Sequence, residues 1–137
     1  MQPFEFIDHT ADYAMRARGN DFRALVENAA RGFIRLLADV EGLTPTDCAE
    51  TSVTGDSREQ VLIHVLKEIL FLQEDGRLAV EARVLEATAH AAVLRIGAVS
   101  LATAVDRLEA AVKAVTYHHL EVVEADGGLS VQIVFDS

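Results

Sequence analysis

"YAMRARGNDFRALVENAARGFIRLLA", residues 13–38, changes its hydrophobic period halfway along, and this change decides the fold class. Residues 13–18 alternate apolar and charged side chains, which is typical of a β-strand with one buried face. Gly19-Asn20 predicts a turn, and Asp21 is a suitable N-cap for a helix that continues to about Ala38. The apolar residues of that helix follow helical spacing and form one wide face: Phe22, Leu25, Val26, Ala29, Phe33, Leu36 and Leu37.

A second helix is predicted from Ser57 to about Asp75-Gly76. Its first residues, Ser57-Arg58-Glu59-Gln60, have the capping-box pattern, in which Ser and Gln each satisfy a backbone N–H at the helix start. The pair Asp75-Gly76 is suited to end it. The predicted buried stripe of this helix is Val61, Leu62, Val65, Leu66, Ile69 and Leu70.

The rest of the chain predicts mainly strands, and residues 40–48 predict a loop. Residues 98–111 allow either a helical turn or a strand. Asp126-Gly127-Gly128 predicts a hairpin, because Gly supplies the positive φ of tight turns. Besides 13–18, the predicted strands are 4–7, 50–54, 78–86, 90–97, 112–124 and 129–135. These elements predict an α+β two-layer sandwich as a single domain, residues 1–137, with two main helices packed on one face of a mixed, largely antiparallel sheet.

Composition narrows the classes of function. The chain has 137 residues, half of them apolar, which is enough to bury a core. Its formal net charge is −10, and its twelve Lys and Arg are scattered along the sequence, so no local basic patch is expected. Because an acidic surface repels phosphate backbones, we expect no direct nucleic-acid binding.

The sequence also indicates a cellular compartment. No signal peptide is visible at the N-terminus, and the most apolar run, "VLIHVLKEILFL", is broken by charged residues, so no membrane span is expected. The single cysteine, Cys48, cannot form an internal disulfide, which fits a reducing cytoplasm. We interpret Cys48 as a structural or incidental thiol.

The first candidate site is "DHTAD", residues 8–12, between the first two predicted strands. Its polar side chains could satisfy backbone groups of a turn. Alternatively, Asp12 could be a ligand of a hard divalent cation, which prefers carboxylate and carbonyl oxygens. One carboxylate does not make a site, so the second interpretation requires a partner.

The second candidate site is the end of the chain, "IVFDS". Ile133 to Phe135 predict a strand that ties the terminus into the sheet. Asp136, the backbone oxygens of Ser137 and Asp12 would together suit Ca²⁺, Mg²⁺ or Mn²⁺. Nothing in their spacing shows that they meet.

The third candidate is "KAVTYHHLEV", residues 113–122. A continuous strand would place Lys113, Val115, Tyr117 and His119 on one face and Thr116, His118 and Leu120 on the other. His118 and His119 would then not bind one metal together. The alternative to a functional site in this segment is a core strand with amphipathic edges. His64, between residues of an apolar stripe, is expected to be a hydrogen-bonded, partly buried histidine.

Known catalytic motifs give no support for an enzyme. The sequence has no Gly-rich phosphate loop, nucleophile elbow, HExxH motif or cysteine pair. Acid–base chemistry by Asp12 and His9 stays open at this point, but no motif marks a substrate pocket.

Four segments together resemble the archease family over practically the whole chain, from about Phe4 to Asp136. They are "FIDHTADYAMRARG", "NAARGF", "KAVTYHHLEV" and "VQIVFDS", in the family's order and with suitable spacing. Archeases are small cytosolic proteins that assist the RtcB-type RNA ligase, which joins tRNA halves during splicing with GTP and a divalent metal. The resemblance implies a non-catalytic activator that promotes guanylylation and multiple turnover of the ligase.

The resemblance also implies site residues. The family's metal site corresponds here to Asp12, Asp136 and Ser137, with Ca²⁺ as the expected ion and Mn²⁺ or Mg²⁺ as alternatives. The family more often ends in Asp followed by an aliphatic residue, where this chain has Ser137. The residues expected to face the partner or a phosphate group are His9, Lys113, Tyr117 and His118. A charge of −10 would steer the protein to a basic RNA-binding enzyme rather than to RNA.

Two further classes of function stay open. One is a chaperone-like or modulating binding protein that acts on other enzymes and needs no metal. The other, less favoured, is a small metal-dependent hydrolase. A gene neighbour encoding an RNA ligase would favour the activator.

Overall fold

The structure, a computed structural model, describes residues 2–7 and 13–137. Two α-helices, eight strands and two short 3₁₀ helices lie in these ranges. The helices are α1 (Phe22–Leu37) and α2 (Arg58–Glu74). The strands are β1 (Phe4–Ile7), β2 (Tyr13–Gly19), β3 (Asp47–Thr54), β4 (Arg77–Ala87), β5 (Ala91–Ser100), β6 (Ala114–Val115), β7 (Val123–Ala125) and β8 (Gly128–Asp136).

The strands form two antiparallel sheets. The first has the order β1-β2-β8-β6, and β7 also pairs with β8. The second has the order β3-β5-β4. The predicted α+β class, with two helices packed on largely antiparallel strands, is confirmed. Division into two sheets was not predicted, because strand periodicity shows which face is buried and not which strands pair.

The two helices pack on each other and on both sheets, and the core fills the space between them. At its centre the rings of Phe33 in α1 and Phe135 in β8 stack with centroids 4.8 Å apart. Two glycines allow α1 to approach the first sheet: a Cβ at Gly19 would collide with the backbone of Leu25, and a Cβ at Gly32 with the Met15 side chain. The strand β8, which carries the predicted metal ligand Asp136, is fixed by the core through the buried Phe135.

Both helix starts have the predicted side-chain caps. The Asp21 carboxylate accepts a hydrogen bond of 2.8 Å from the Ala24 N–H. The Ser57 hydroxyl oxygen accepts one of 3.1 Å from the Gln60 N–H, and the Gln60 side chain accepts one of 2.6 Å from the Asp56 N–H. The N-cap bonds of Asp21 and Ser57 each contribute about 1 kcal/mol to helix stability.

The edge of β4 is covered by side chains of α1. The Glu27 carboxylate accepts a hydrogen bond of 3.1 Å from the Val84 N–H, and the Arg23 guanidinium donates one of 2.9 Å to the Val84 carbonyl. Glu27 also forms ion pairs with Arg23 at 2.7 Å and with Arg31 at 2.8 Å. These bonds occupy backbone groups of an edge strand that would otherwise be available to another chain.

The pKa of Glu27 lies below its usual value. Burial by itself would raise this pKa, but the hydrogen bonds from Arg23 and the Val84 N–H and the charge of Arg31 together outweigh burial. Glu27 is therefore ionised near neutral pH and holds α1 against the second sheet.

The prediction of one strand over residues 112–124 is wrong. The chain pairs with β8 only at Ala114–Val115, turns after Tyr117, and pairs again as β7. The turn is stabilised by a hydrogen bond of 3.0 Å from the Leu120 N–H to the Tyr117 carbonyl and by the Thr116 hydroxyl, which accepts from the His118 N–H at 3.2 Å. His119 has a φ of 52°, which a strand does not allow. These hydrogen bonds are local to the turn and override the apolar-polar pattern.

Other boundaries differ less. β3 begins at Asp47, inside the predicted loop 40–48, and β5 continues to Ser100. Residues 101–107 form the two 3₁₀ helices, so the helical alternative is correct for that part of the ambiguous segment. The predicted hairpin is confirmed: Asp126 and Gly127 both have positive φ and connect β7 to β8. No helix in the described ranges is long and apolar enough to span a membrane.

Candidate metal and partner site

The predicted C-terminal site lies at the end of β8. β8 pairs with β2 through seven residue pairs, from Tyr13↔Phe135 to Gly19↔Leu129. On its other side, Ala114 is opposite Asp136. Asp136 is therefore paired with Ala114, and the preceding Phe135 is paired on both sides, with Tyr13 and Val115. The expectation that the terminus is tied into the sheet is correct.

The carboxylate of Asp136 is available to a ligand. Asp136 is exposed, and no ion pair or side-chain hydrogen bond involves it within residues 2–7 and 13–137. Its backbone carbonyl accepts a hydrogen bond of 2.7 Å from the Lys113 N–H, which leaves one carbonyl lone pair. Ser137 follows directly and is exposed. These oxygens are of the kind that Ca²⁺ and other hard cations bind.

The "HTAD" residues, 9–12, lie outside the described ranges. The roles predicted for His9 and Asp12 therefore stay predictions. The register nevertheless limits where their neighbours lie. Ile7 is opposite Ala14, and Tyr13 is opposite Phe135. Asp12 immediately precedes Tyr13 in the sequence, and Asp136 immediately follows Phe135. The two predicted carboxylate ligands therefore adjoin, in sequence, two residues that face each other across a strand pair.

The described residues do not complete a metal site by themselves. Among them, no group of three or more His, Cys, Asp or Glu side chains could hold a metal ion. This finding does not test a site that includes Asp12, because Asp12 is not described.

Lys113 lies beside Asp136, whereas Tyr117 and His118 lie further away. Lys113 is exposed, and its backbone N–H is bonded to Asp136. Since β6 runs antiparallel to β8 and the Thr116 N–H is bonded to the Val134 carbonyl, Tyr117 and His118 follow on the side away from Asp136. Of the predicted partner-facing residues that are described, the structure therefore brings only Lys113 next to Asp136.

The predicted alternation of faces within residues 113–120 is wrong beyond Val115, because the strand ends there. The rings of His118 and His119 are not on opposite faces; they contact each other edge to face, with centroids 4.2 Å apart. Both histidines and Tyr117 are exposed in the turn. The interpretation of His64 is confirmed: it is half-buried, and its Nδ1 is hydrogen bonded to the Thr54 carbonyl.

Two exposed aromatic residues near this site were missed in the sequence. Phe6 is 51% exposed and Tyr13 is 37% exposed, and both line a hollow of about 250 Å³ with Leu36 and Ala110. The sequence places them on either side of the "HTAD" segment. Because aromatic residues in strands are usually buried in the core, this position did not indicate exposed side chains. Exposed aromatic side chains are enriched in protein interfaces, so this end of the sheet is suited to contact a protein.

The basic residues are less scattered than the sequence suggests. Arg31, Arg35, Arg83 and Arg95 come from three different elements and line one cleft. The expectation that no local basic patch exists is therefore wrong, because distant parts of the chain meet at this cleft.

Comparisons with known proteins give a consistent result. The sequence matches the profile of the Archease protein family over residues 4–136. Protein archease of Thermococcus gammatolerans is 30% identical over 141 residues, which cover 99% of both chains. Protein archease of Methanosarcina barkeri is 29% identical over 138 residues, which cover 97% of this chain and 94% of that one.

Two solved structures share the fold. The solution structure of Methanobacterium thermoautotrophicum protein 1598 matches over all of both chains with a TM-score of 0.81 and 24% identity. A crystal structure from Thermotoga maritima, described as an archease and possible chaperone, matches with a TM-score of 0.66 and 22% identity over 96% of this chain and 94% of that one. At these identities the structures establish the architecture and not the site.

Proposed function

Because this chain belongs to the archease family, we propose that it is a non-catalytic activator of an RtcB-type RNA ligase in tRNA splicing and RNA repair. In this role it promotes the GTP-dependent guanylylation of the ligase and its multiple turnover, in the cytoplasm. The observation that carries the proposal is the pairing of Tyr13 with Phe135, since each of these residues adjoins a predicted carboxylate ligand.

We assign a divalent-metal site to Asp12, Asp136 and Ser137, with Ca²⁺ as the expected ion and Mn²⁺ or Mg²⁺ as alternatives. The exposed Asp136 carboxylate, which has no ion pair in the described ranges, supports this assignment. A bound divalent cation supplies positive charge that offsets negative charge on phosphate oxygens. The fixed backbone of β8 would hold Asp136 in place for such an ion.

Lys113 is assigned a role at the same site. Its backbone N–H is bonded to the backbone carbonyl of Asp136, so its exposed side chain is attached to the chain next to a predicted metal ligand. Transfer of a nucleotide to a histidine builds negative charge on phosphate oxygens, and a positioned ammonium group stabilises that charge. His9, Tyr117 and His118 are assigned to the surface that faces the ligase.

Long-range charge supports a protein partner. The net charge of −10 favours approach to the basic, RNA-binding surface of a ligase over approach to RNA. The exposed Phe6, Tyr13 and Tyr117 supply apolar area for the contact.

The proposal is tested by measuring the rate of guanylylation of the cognate ligase with GTP, with and without this protein. We expect a faster reaction with wild type and a loss of stimulation with Asp136→Asn. Asp126→Asn is the matched control, because Asp126 is an exposed aspartate in the distant β7–β8 hairpin. A ligase that is guanylylated equally fast without the protein would refute the proposal.

A chaperone-like modulator that needs no metal is the second candidate. The exposed aromatic residues favour it, and one structural relative is described as a possible chaperone. This candidate predicts that the protein suppresses aggregation of an unrelated unfolded enzyme, such as heated citrate synthase, equally well with calcium and with a chelator. Suppression by wild type and by Asp136→Asn, without an effect on the ligase, would establish it over the activator.

A further inference from the structure

A cleft of about 550 Å³ lies between α1 and the β3-β5-β4 sheet. Its lining includes four arginines, Arg31 and Arg35 from α1, Arg83 from β4 and Arg95 from β5, and a single glutamate, Glu81. A third of the twelve Lys and Arg of an acidic protein are thus collected around one concave surface. This size is within the range of small-molecule sites.

The pairing of β4 with β5 places like charges close together, which destabilises the sheet when the cleft is empty. Arg83 and Arg95 are directly opposite each other in the antiparallel β4–β5 pair. Like charges in directly opposite positions destabilise a sheet. Within the described residues Arg83 has no ion pair or side-chain hydrogen bond, although it is exposed at the cleft. A bound anion would relieve this repulsion.

The other arginines are only partly neutralised. Arg31 pairs with Glu27, but that carboxylate also serves Arg23 and the Val84 N–H. Arg35–Glu41 and Arg95–Glu50 are both 3.7 Å apart and exposed, so these pairs contribute little stability. Their guanidinium groups can exchange the carboxylate for a ligand at small cost.

The cleft also has an apolar side. The half-buried Phe4 presents apolar surface to it, whereas the other two apolar lining residues, Ile34 and Val40, are almost fully buried at 2% and 6% exposed. A bare inorganic anion would contact the arginines and leave this apolar surface in water. A ligand with an anionic group and a carbon body satisfies both parts of the lining.

We propose that this cleft binds a small organic phosphate ester, with the phosphate on the guanidinium groups of Arg83 and Arg95 and the organic group against Phe4. Phosphate suits the site because it accepts bidentate hydrogen bonds from several arginines and carries up to two negative charges. None of the predicted metal residues Asp12, Asp136 and Ser137 lines this cleft, and the proposal does not depend on the proposed function.

The test is calorimetric titration of the full chain at low ionic strength with phenyl phosphate, inorganic phosphate and phenol. We expect wild type to bind phenyl phosphate with a Kd below about 1 mM and to bind inorganic phosphate and phenol at least about tenfold more weakly. The double variant Arg83→Gln/Arg95→Gln should lose at least about tenfold in affinity. Arg58→Gln, an arginine at the start of α2 and outside the cleft, should bind as wild type.

Thermal melts accompany the titrations. Because Arg83 and Arg95 are exposed and opposed, the double variant should melt at or above the wild-type temperature. If it fails to fold, Arg31→Gln/Arg35→Gln on α1 takes its place, with the same expected loss of affinity.

Four results would overturn the proposal. They are no binding of phenyl phosphate by wild type, equal binding by the cleft variants, equal affinity for inorganic phosphate, and equal affinity for phenol. Binding of tRNA that these variants abolish, without binding of phenyl phosphate, would assign the cleft to RNA instead.

Discussion

At the residue scale, Asp136 combines a backbone fixed by strand pairing with an exposed carboxylate, and its assignment as a metal ligand rests on both features. We expect Asp136→Asn and Asp12→Asn each to weaken Ca²⁺ binding by more than about tenfold, because hard cations need anionic oxygens. The melting temperature of the metal-free protein should change little, since an exposed carboxylate contributes little to the core.

Calorimetric titration with Ca²⁺ and with Mn²⁺ measures this effect. Asp126→Asn controls for the loss of one negative charge, and Asn tolerates the positive φ at that position. Wild-type affinity in either site variant would remove that residue from the metal site.

Also at the residue scale, Lys113 could act through its charge or only through the packing of its alkyl stem, and a substitution distinguishes the two. An exposed lysine can lay its alkyl stem along the sheet and keep its ammonium in water, which would be a structural role only. Lys113→Met keeps most of the stem and removes the charge. We expect it to melt near the wild-type temperature and to lose about tenfold in stimulation of guanylylation.

The single-turnover reaction supplies the control for Lys113. Ligase that is already guanylylated should seal RNA once at the normal rate without this protein. Stimulation by Lys113→Met that equals that of wild type would make the lysine structural.

At the element scale, Glu27 joins α1 to the edge of β4. Glu27→Gln keeps an acceptor for the Val84 N–H and removes the charge, so we expect a loss of about 1–3 kcal/mol in the free energy of unfolding. Glu27→Leu should cost more, because it also leaves the Val84 N–H unsatisfied. Urea unfolding measures both variants, and Glu74→Gln, at the exposed end of α2, should change stability by less than about 0.5 kcal/mol.

The pH dependence of the Glu27 contribution follows from its lowered pKa. A carboxyl group with a lower pKa in the folded than in the unfolded state stabilises the fold above its unfolded pKa, near 4.5. This stabilisation is lost as pH falls through the folded pKa. The stability difference between wild type and Glu27→Gln should therefore shrink in acid, and a difference that grows in acid would contradict this account.

For the whole molecule, the arrangement of charge decides which partners can approach. The net charge of −10 offers little counterion release, and the basic cleft is too small to follow a nucleic-acid backbone. We expect no binding of tRNA by the isolated protein at physiological salt in a gel-shift assay. Binding at micromolar or tighter concentration would contradict action through a protein partner.

Local patterns in the sequence were sufficient for the helices. The caps at Asp21 and Ser57 depend on residues within a few positions of each other, and the structure has them as predicted. The apolar faces are predicted in part: Phe22 and Leu36 are only half-buried, and Ile34 and Ile63, outside the predicted faces, are buried. The Asp126-Gly127 hairpin was equally local, since positive φ at two successive residues is a property of the dipeptide. The four segments resembling the archease family likewise identified the family from the sequence alone.

Only the tertiary structure decided which distant residues meet. The strand pairings put Tyr13 opposite Phe135 and Arg83 opposite Arg95, and no periodicity within one segment contains that information. The break after Val115 depended partly on context, because the Thr116 hydroxyl that accepts from the His118 N–H in the turn also donates to the Val134 carbonyl of β8. Sequence patterns depend on the neighbours of a residue along the chain. The cleft with four arginines instead forms because α1 packs on the β3-β5-β4 sheet and brings separate segments together.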